Sequence, residues 1–138
     1  MTAEGVGRPE VCVGAIAIVA GELLLIQRGR GAAVGQWSIP GGRVERGELL
    51  SQAVEREFWE ETGLRALCGR FVGWVERISP DHHFVIADFE VTIDGDDRAE
   101  VHAGDDAADA QWFPLDALDQ VDLVGGVLEF LVEHGYIP

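Results

Sequence analysis

Hydrophobic residues along the chain fall into short runs separated by turn-forming residues, which is a pattern typical of β-strands. Five such runs predict strands: 11–20, 23–28, 67–78, 83–93 and 110–113. A short extended segment at 37–39 ends at Pro40-Gly41-Gly42, which predicts a break. The first two strands are joined through Gly21-Glu22, a dipeptide that favours a tight hairpin turn.

Two segments instead repeat their apolar residues with the period of a helix. Segment 49–62 contains no glycine or proline, and Gly63 supplies a stop signal directly after it. Segment 123–133 predicts a closing amphipathic helix that Gly125-Gly126 weakens. We expect a polar loop at 94–109 and a turn or short helix at 114–118. Strands followed by packed helices predict an α/β or α+β fold around a mixed sheet.

The length of 138 residues predicts one domain, which we place at 11–138 after a flexible tail at 1–10. No basic start followed by a long apolar stretch indicates a secretory signal, and no apolar run reaches the roughly 18–20 residues of a membrane helix. We therefore expect a cytoplasmic protein without a membrane partner. Cys12 and Cys68 are isolated in apolar runs, which predicts small buried side chains rather than a metal or redox site.

The formal net charge is −15, and all ten cationic residues are arginine. No basic stripe is available to displace the counterions of a nucleic acid, so we expect no nucleic-acid polymer as partner. A small phosphorylated ligand stays compatible with this charge if a divalent cation bridges the like charges. The acidity itself is explained largely by solubility.

Segment 49–62 carries glutamates on the wrong side for a simple surface helix. On a helical wheel its apolar stripe consists of Leu50, Ala53, Val54 and Phe58. Glu57 falls in the middle of this stripe, Glu61 follows four residues later on the same line, and Glu60 lies at the edge. Burial of carboxylates costs several kcal/mol per ion unless something compensates.

A bound cation is the natural compensation for these glutamates, because the spacing i, i+3, i+4 brings their side chains to one place. Hard oxygen ligands favour Mg²⁺ or Mn²⁺ over zinc. The alternative, a solvated acidic face, is disfavoured because the neighbouring positions are apolar. Arg56 is a cation within this acidic segment, and we expect it to form a fork-like salt bridge with Glu48.

The same residues match a family signature. Gly42, Glu48, the hexapeptide Arg56-Glu57-Phe58-Trp59-Glu60-Glu61, Thr62 and Gly63-Leu64 stand at the spacing of a complete Nudix box over 42–64. The chain therefore resembles the Nudix hydrolase family, and the segment 37–42 and the strand order extend this resemblance to most of its length. The resemblance implies an α/β/α sandwich with a central mixed β-sheet. It also implies hydrolysis of the pyrophosphate bond in a nucleoside diphosphate derivative.

The resemblance also implies roles for single residues. Glu57, Glu60 and Glu61 would coordinate Mg²⁺, for which Mn²⁺ could substitute, with the Gly41 carbonyl as a further ligand. Glu48 and Arg56 would brace the turn between loop and helix. A further acid is expected in the loop before the last strand. Asp106 is our choice and Asp105 the second, and an ordinary polar turn is the alternative.

The metal would lower the pKa of a bound water and align it for in-line attack, while Glu61 or Asp106 takes the proton. Arg28 and Arg30 flank the loop after the second strand and could reach a phosphate, although solvated arginines are the commoner case. Aromatic side chains could stack on a base or belong to the core: Trp37, Phe84 and Trp112.

A proline sixteen positions after the box is associated in this family with ADP-ribose, and Pro80 stands there, although an ordinary turn explains it as well. The favoured reaction is therefore cleavage of ADP-ribose to AMP and ribose 5-phosphate. A second possibility is a pyrophosphohydrolase for oxidised nucleoside triphosphates of the 8-oxo-dGTP type. A third, of another class, is a non-catalytic nucleotide sensor, which the intact glutamate set disfavours.

The acidic segment Asp94-Gly95-Asp96-Asp97 lacks the ligand spacing of an EF-hand calcium loop, so we expect no calcium site there.

Trp59 points away from the core on the wheel, and a large exposed aromatic is typical of an interface. This predicts either a homodimer through Trp59 or a loop that covers Trp59.

Overall fold

Two β-sheets form the frame of the molecule. The computed structural model describes residues 7–31, 33–93, 101–104 and 107–138. The first sheet has the spatial order β5 (Gly41–Arg43), β1 (Glu10–Ile16), β7 (His83–Ile93) and β6 (Ala66–Ile78). β1 and β7 run parallel, whereas β1 with β5 and β6 with β7 run antiparallel, so this sheet is mixed as the sequence predicted.

The second sheet is antiparallel and is built around β3 (Glu22–Arg28). The neighbours of β3 are β8 (Ala107–Pro114), β4 (Trp37–Ser38) and, at its first residues, β2 (Ile18–Val19). The register between β3 and β8 shifts at Gln27/Arg28. This irregularity lies where β3 leaves the sheet toward the loop that contains Arg30.

Two α-helices pack against the sheets. Helix α1 (Leu50–Thr62) begins where the Gln52 side chain accepts a hydrogen bond from the Leu49 N–H, at 2.9 Å. It ends at Gly63, whose φ of 74° favours glycine, and whose N–H donates to the Trp59 carbonyl. The predicted stop is therefore confirmed. Helix α2 (Val127–Glu133) follows a short 3-10 helix at Leu115–Gln120.

The alternation of side chains along the strands creates two cores. In the first core, the buried residues of the first sheet face α1; its main members are Val13, Ala15, Ala87, Ala53, Val54 and Phe58. In the second core, residues of β1 and β3 face α2; its main members are Ile16, Leu23, Leu25, Phe130 and Leu131. With one helix on each side of the sheets, the predicted α/β/α sandwich is confirmed.

Several predicted element boundaries were wrong because strand pairing overrides local pattern. The run 11–20 divides at Ala17, whose carbonyl accepts a hydrogen bond from Leu24 N–H in the second sheet. The predicted break at 40–42 is wrong for Gly41 and Gly42, which belong to β5 because they pair with β1. The predicted polar loop 94–109 ends earlier than expected, because β8 already starts at Ala107.

The closing helix is also shorter than predicted. Gly126, with φ of 94°, precedes its first turn, and α2 starts only at Val127. Leu123 instead forms a bridge with Trp37, and the Trp37 carbonyl accepts a hydrogen bond from Val124 N–H. The segment 123–126 therefore serves to close the sheet edge rather than to extend the helix.

The predicted tail falls mostly outside the described residues, since residues 1–6 are not among them and β1 begins at Glu10. Cys12 is buried and Cys68 is partly buried, and both are free thiols. Burial raises the pKa of the Cys12 thiol to about 11, which agrees with an unreactive side chain. No helix within the described ranges is long and apolar enough to cross a membrane.

Candidate active site

The face of the first sheet that points away from α1 forms the floor of a large cleft. The floor is made by side chains of three adjacent strands that alternate toward this face: Cys12, Gly14, Val75, Arg77, Phe84, Ile86 and Asp88. The cleft has a volume of about 1440 Å³. Ligand sites commonly measure roughly 300–1000 Å³, so a nucleotide derivative fits within it.

The predicted glutamates of α1 lie at the β5 side of this cleft. Glu61 accepts a hydrogen bond from the Gly41 N–H at 2.6 Å. The Glu57 carboxylate packs so closely on Gly42 that a Cβ at this position would overlap it. The side chain of Glu57 is 16% exposed, whereas that of Glu60 is 51% exposed. The helical wheel therefore placed Glu57 inside and Glu60 at the rim correctly.

Arg56 is the centre of a cluster of carboxylates. Its Nε and Nη2 atoms donate to the two oxygens of Glu48, at 2.7 and 3.0 Å, which is the fork-like contact that the sequence predicted. Nη1 donates to Glu57 at 2.8 Å and to Glu60 at 3.1 Å. Nη2 also donates to the Arg43 carbonyl. Arg56 thus connects β5, the following loop and α1.

These contacts shift the pKa values of the cluster in opposite directions. The hydrogen bonds from Arg56 lower the pKa of Glu48 to about 2. Burial raises the pKa of Glu57, against the attraction of Arg56. Burial also raises the pKa of Glu61 to about 7; the Gly41 N–H and Arg28 oppose this shift, and the negative charge of Glu57 adds to it.

The donor chemistry of this region fits a divalent cation. Glu57 and Glu61 are half-buried oxygen donors that repel each other, and their raised pKa values show that the surrounding cations do not fully compensate their burial. Within the described ranges, no three acidic, histidine or cysteine side chains already stand as a metal cage. Glu57 and Glu60 are turned toward Arg56 instead.

Other predicted residues lie around the same cleft. Arg28 and Arg30 line it, and the charge of Arg28 acts on Glu61. Phe84 also lines it, with the His82 ring stacked on it at 4.2 Å and the Arg43 guanidinium 5.7 Å from its centroid. These positions agree with the predicted contacts to substrate, whose roles stay predictions.

Of the aromatic side chains for which base stacking and a core position were both considered, two lie in the cores, which corrects the assignment of Trp37 to substrate binding. Trp37 does not line the cleft: its ring packs edge-on against Phe113 at 4.8 Å, in the core next to α2. Trp112 packs against the core next to α1. Both rings are held there because β4 and β8 flank β3 and turn these side chains inward.

The predicted further acids, Asp105 and Asp106, lie outside the described residues. Gly104, the residue directly before them, contacts the end of α1: its N–H donates to the Glu61 carbonyl at 3.1 Å. A Cβ at Gly104 would overlap the backbone of Glu60, so only glycine permits this approach to α1.

The cleft also contains residues that the sequence patterns did not select, above all Asp88 and Arg77. Asp88 is buried in the middle of β7, and burial raises its pKa to about 7. The available signal was a carboxylate between the apolar residues Ala87 and Phe89 of the strand, with a second one, Glu90, only two positions further. A strand pattern alone does not tell whether such a residue faces solvent or a cleft.

Comparison with known proteins places the chain among related sequences. The family model of the NUDIX domain matches residues 8–131. An ADP-ribose pyrophosphatase from Methanocaldococcus jannaschii is 36% identical over 117 residues, which cover 82% of this chain and 66% of the relative. An NAD-capped RNA hydrolase NudC from Chromobacterium violaceum is 32% identical over 114 residues, which cover 83% of this chain and 42% of the relative.

The chain thus spans less than two thirds of the length of these two relatives. Among solved structures, a MutT protein from Methanosarcina mazei Go1 superposes with a TM-score of 0.81 and 25% identity. That match covers 98% of this chain and 97% of the other. The fold is therefore shared over nearly the whole chain.

Proposed function

Because this chain belongs to the NUDIX domain family, we propose that it hydrolyses the pyrophosphate bond of a nucleoside diphosphate derivative with the help of a divalent cation. One observation supports this most: the half-buried carboxylates of Glu57 and Glu61 open into a cleft of nucleotide size. Arg28 lies close enough to act on Glu61 and offers a positive charge to a phosphate.

We assign the metal to Glu57, Glu60 and Glu61, with the Gly41 carbonyl as a further ligand. When bound, Mg²⁺ or Mn²⁺ supplies charge neutralisation of phosphate oxygens and acidifies a coordinated water. The Gly41 N–H fixes the Glu61 carboxylate, and the Arg56–Glu48 pair holds the loop against α1. Glu61 is our first candidate for the proton acceptor, since the Gly41 N–H holds its carboxylate at the cleft. Asp106 is the second.

ADP-ribose is the substrate that we propose first. The relative from Methanocaldococcus jannaschii carries the name ADP-ribose pyrophosphatase. Pro80 lies in the turn between β6 and β7, and two residues that follow Pro80, His82 and Phe84, line the cleft. Water would add across the P–O–P bridge, which releases AMP and ribose 5-phosphate.

The test is hydrolysis of a panel of nucleoside diphosphate derivatives and nucleoside triphosphates, with Mg²⁺ or Mn²⁺, followed by chromatography of the products. We expect AMP from ADP-ribose, and we expect Glu61→Gln to lower kcat by at least about a hundredfold, because it removes a charged ligand and base. Glu133→Gln, an exposed glutamate of α2, is the matched control and should keep wild-type activity.

The outcomes of this panel separate the alternatives. Cleavage of an oxidised nucleoside triphosphate to a monophosphate and pyrophosphate, with ADP-ribose untouched, would replace the proposed substrate. If nothing in the panel is cleaved while nucleotides still bind, a non-catalytic nucleotide sensor is the better description.

A further inference from the structure

One row of the cleft floor carries a single side chain. Asp88 of β7 is in register with Gly14 of β1 on one side and with Gly73 of β6 on the other. Gly14 is paired in turn with Gly41 of β5. The row across all four strands of the first sheet therefore reads Gly41, Gly14, Asp88, Gly73, and the carboxylate is its one functional group.

The missing side chain at Gly14 determines where this carboxylate lies. A Cβ at Gly14 would overlap Oδ1 of Asp88, so the carboxylate leans from β7 over β1, in the direction of β5. That direction leads to Gly41, whose N–H holds Glu61. Asp88 thus lies on the floor between the glutamates at one end of the cleft and Phe84 and Ile86 on its own strand.

Asp88 is buried but not satisfied. It is 4% exposed, and within the part of the chain that the structure describes its Oδ1 has no hydrogen-bond partner. Arg77 is the cation that acts on it, but Nη1 of Arg77 donates to the Gly125 carbonyl at 2.6 Å. Buried polar groups of native proteins are nearly always hydrogen-bonded, so an acceptor without a partner among the described residues, inside a cleft, is placed to receive a hydrogen bond from a ligand.

We infer that Asp88 is a specificity-determining residue that accepts a hydrogen bond from the nucleoside half of the substrate. This inference rests on the proposed function, because the phosphates must lie at Glu57 and Glu61 for the nucleoside to extend over the floor. The donor is either an N–H of the nucleobase or an O–H of the ribose. Both offer the same chemistry to a buried acceptor.

The experiment measures binding of AMP to the full chain by calorimetry in the presence of Mg²⁺, since AMP contains no pyrophosphate bond to cleave. Asp88→Ala should weaken AMP binding by about tenfold or more, which is typical of a lost hydrogen bond to a charged group. Asp119→Ala, an exposed aspartate in the 3-10 helix, is the matched control and should leave binding unchanged.

Two groups of analogues identify the donor. Purine riboside 5′-monophosphate lacks the amino group of adenine, and 2′-deoxy-AMP and 3′-deoxy-AMP each lack one hydroxyl. The analogue that lacks the relevant donor should bind the wild type about as weakly as AMP binds Asp88→Ala. Asp88→Ala should not weaken the binding of that analogue any further. Equal loss for every ligand, or no loss for any, would overturn the inference, as would failure of AMP to bind the wild type.

Folding and catalysis are separated by further measurements. Asp88→Asn keeps the shape and one carbonyl acceptor and should rescue much of the binding, while its Tm should be at or above that of the wild type. A lower Tm with unchanged ligand discrimination would show a purely structural role. If the wild type hydrolyses a substrate of the panel but substitution of Asp88 does not change the affinity for any ligand, this inference alone fails. If AMP binding depends on Asp88 but nothing is hydrolysed, only the catalytic proposal fails.

Discussion

Three carboxylates are largely buried in the walls and floor of the cleft. Burial raises the pKa of Glu57, Glu61 and Asp88, and in each case it is the largest cause of the shift. The compensation differs, since Glu57 has Arg56 and Glu61 has the Gly41 N–H, while Oδ1 of Asp88 has no partner in the described ranges. Uncompensated burial at a cleft trades stability for binding.

Asp88→Asn should therefore stabilise the free protein in a pH-dependent way. The folded pKa of about 7 lies above the unfolded value near 3.8, so burial of the charge destabilises the wild type. This penalty is absent below the unfolded pKa, grows as the pH rises from about 4 to 7, and is complete above 7. Its upper limit is on the order of 4 kcal/mol, and the unpartnered amide of the variant reduces the gain.

Urea unfolding on both sides of this range measures the effect. The charged group that faces Asp88 from β6 is Arg77, and His134, after α2, packs on Gly73 beside it. The stability difference between Asp88→Asn and the wild type should be larger near about pH 8 than near about pH 4. A variant that is less stable than the wild type at the higher pH would contradict the prediction.

At the scale of elements, the turn from β5 into α1 decides where the glutamates point. Gln52 closes the start of the helix, Gly63 ends it, and Arg56 connects α1 to Glu48 and to the Arg43 carbonyl. On the outer face of α1, Trp59 is 47% exposed, and the Arg65 guanidinium lies 4.8 Å from the ring centroid. A homodimer through this face stays a prediction.

Arg56→Lys should loosen this turn, because an ammonium group cannot reproduce the two parallel hydrogen bonds to Glu48. We expect a Tm lower by a few degrees and a larger fractional loss of kcat than of substrate binding, since the glutamates lose their positions. Arg46→Lys, an exposed arginine of the same loop, is the control for the change of residue type.

The stabilisation from the Arg56–Glu48 pair should depend on pH, because Arg56 lowers the pKa of Glu48. Arg56 depresses the folded pKa of Glu48 to about 2, from a usual value near 4.5. Its contribution is therefore present above about pH 4.5 and is lost as the pH falls toward 2. The Tm difference between wild type and Arg56→Lys should shrink over that range, and a constant difference would argue against the ion pair as its cause.

At the scale of the whole molecule, the negative charge of the chain would oppose the binding of a phosphorylated substrate. The chain carries a net charge of −15, and its glutamate cluster opens into the same cleft as the proposed substrate. Under the proposed function two anions would approach each other there, and the proposed cation would offset both the repulsion among the buried glutamates and the repulsion of the substrate. Metal removal should consequently act on stability as well as on activity.

Mg²⁺ or Mn²⁺ should raise the Tm of the wild type after treatment with a chelator. At a hundredfold excess over the dissociation constant, linkage predicts a stabilisation of about 2.7 kcal/mol. In Glu57→Gln/Glu61→Gln the shift should vanish, and the metal-free double variant should melt above the metal-free wild type, because two buried charges are gone. An equal metal-induced shift in wild type and double variant would place the cation elsewhere.

Much of this architecture is already determined by local sequence. The period of segment 49–62 places Glu57 and Glu61 on its inner line, Gly63 stops the helix, and Glu48 lies within reach of Arg56. These features depend on neighbours only a few residues apart, whose relative positions the helix geometry sets by itself. The succession of strands and helices along the chain, and with it the expectation of a mixed sheet, followed from the order of the hydrophobic runs.

Tertiary structure decided the features that depend on pairing between distant segments. Register aligned Asp88 with two glycines that lie 74 and 15 positions away, and strand pairing turned Trp37 into the core next to α2. The same pairing made a strand of 41–43 and shortened the last helix. A shift of one residue in register reverses the face of every side chain, and no local pattern determines which residues a strand will meet. The sequence alone thus determined the helix and its glutamates, and only the assembled sheet decided what lies opposite them.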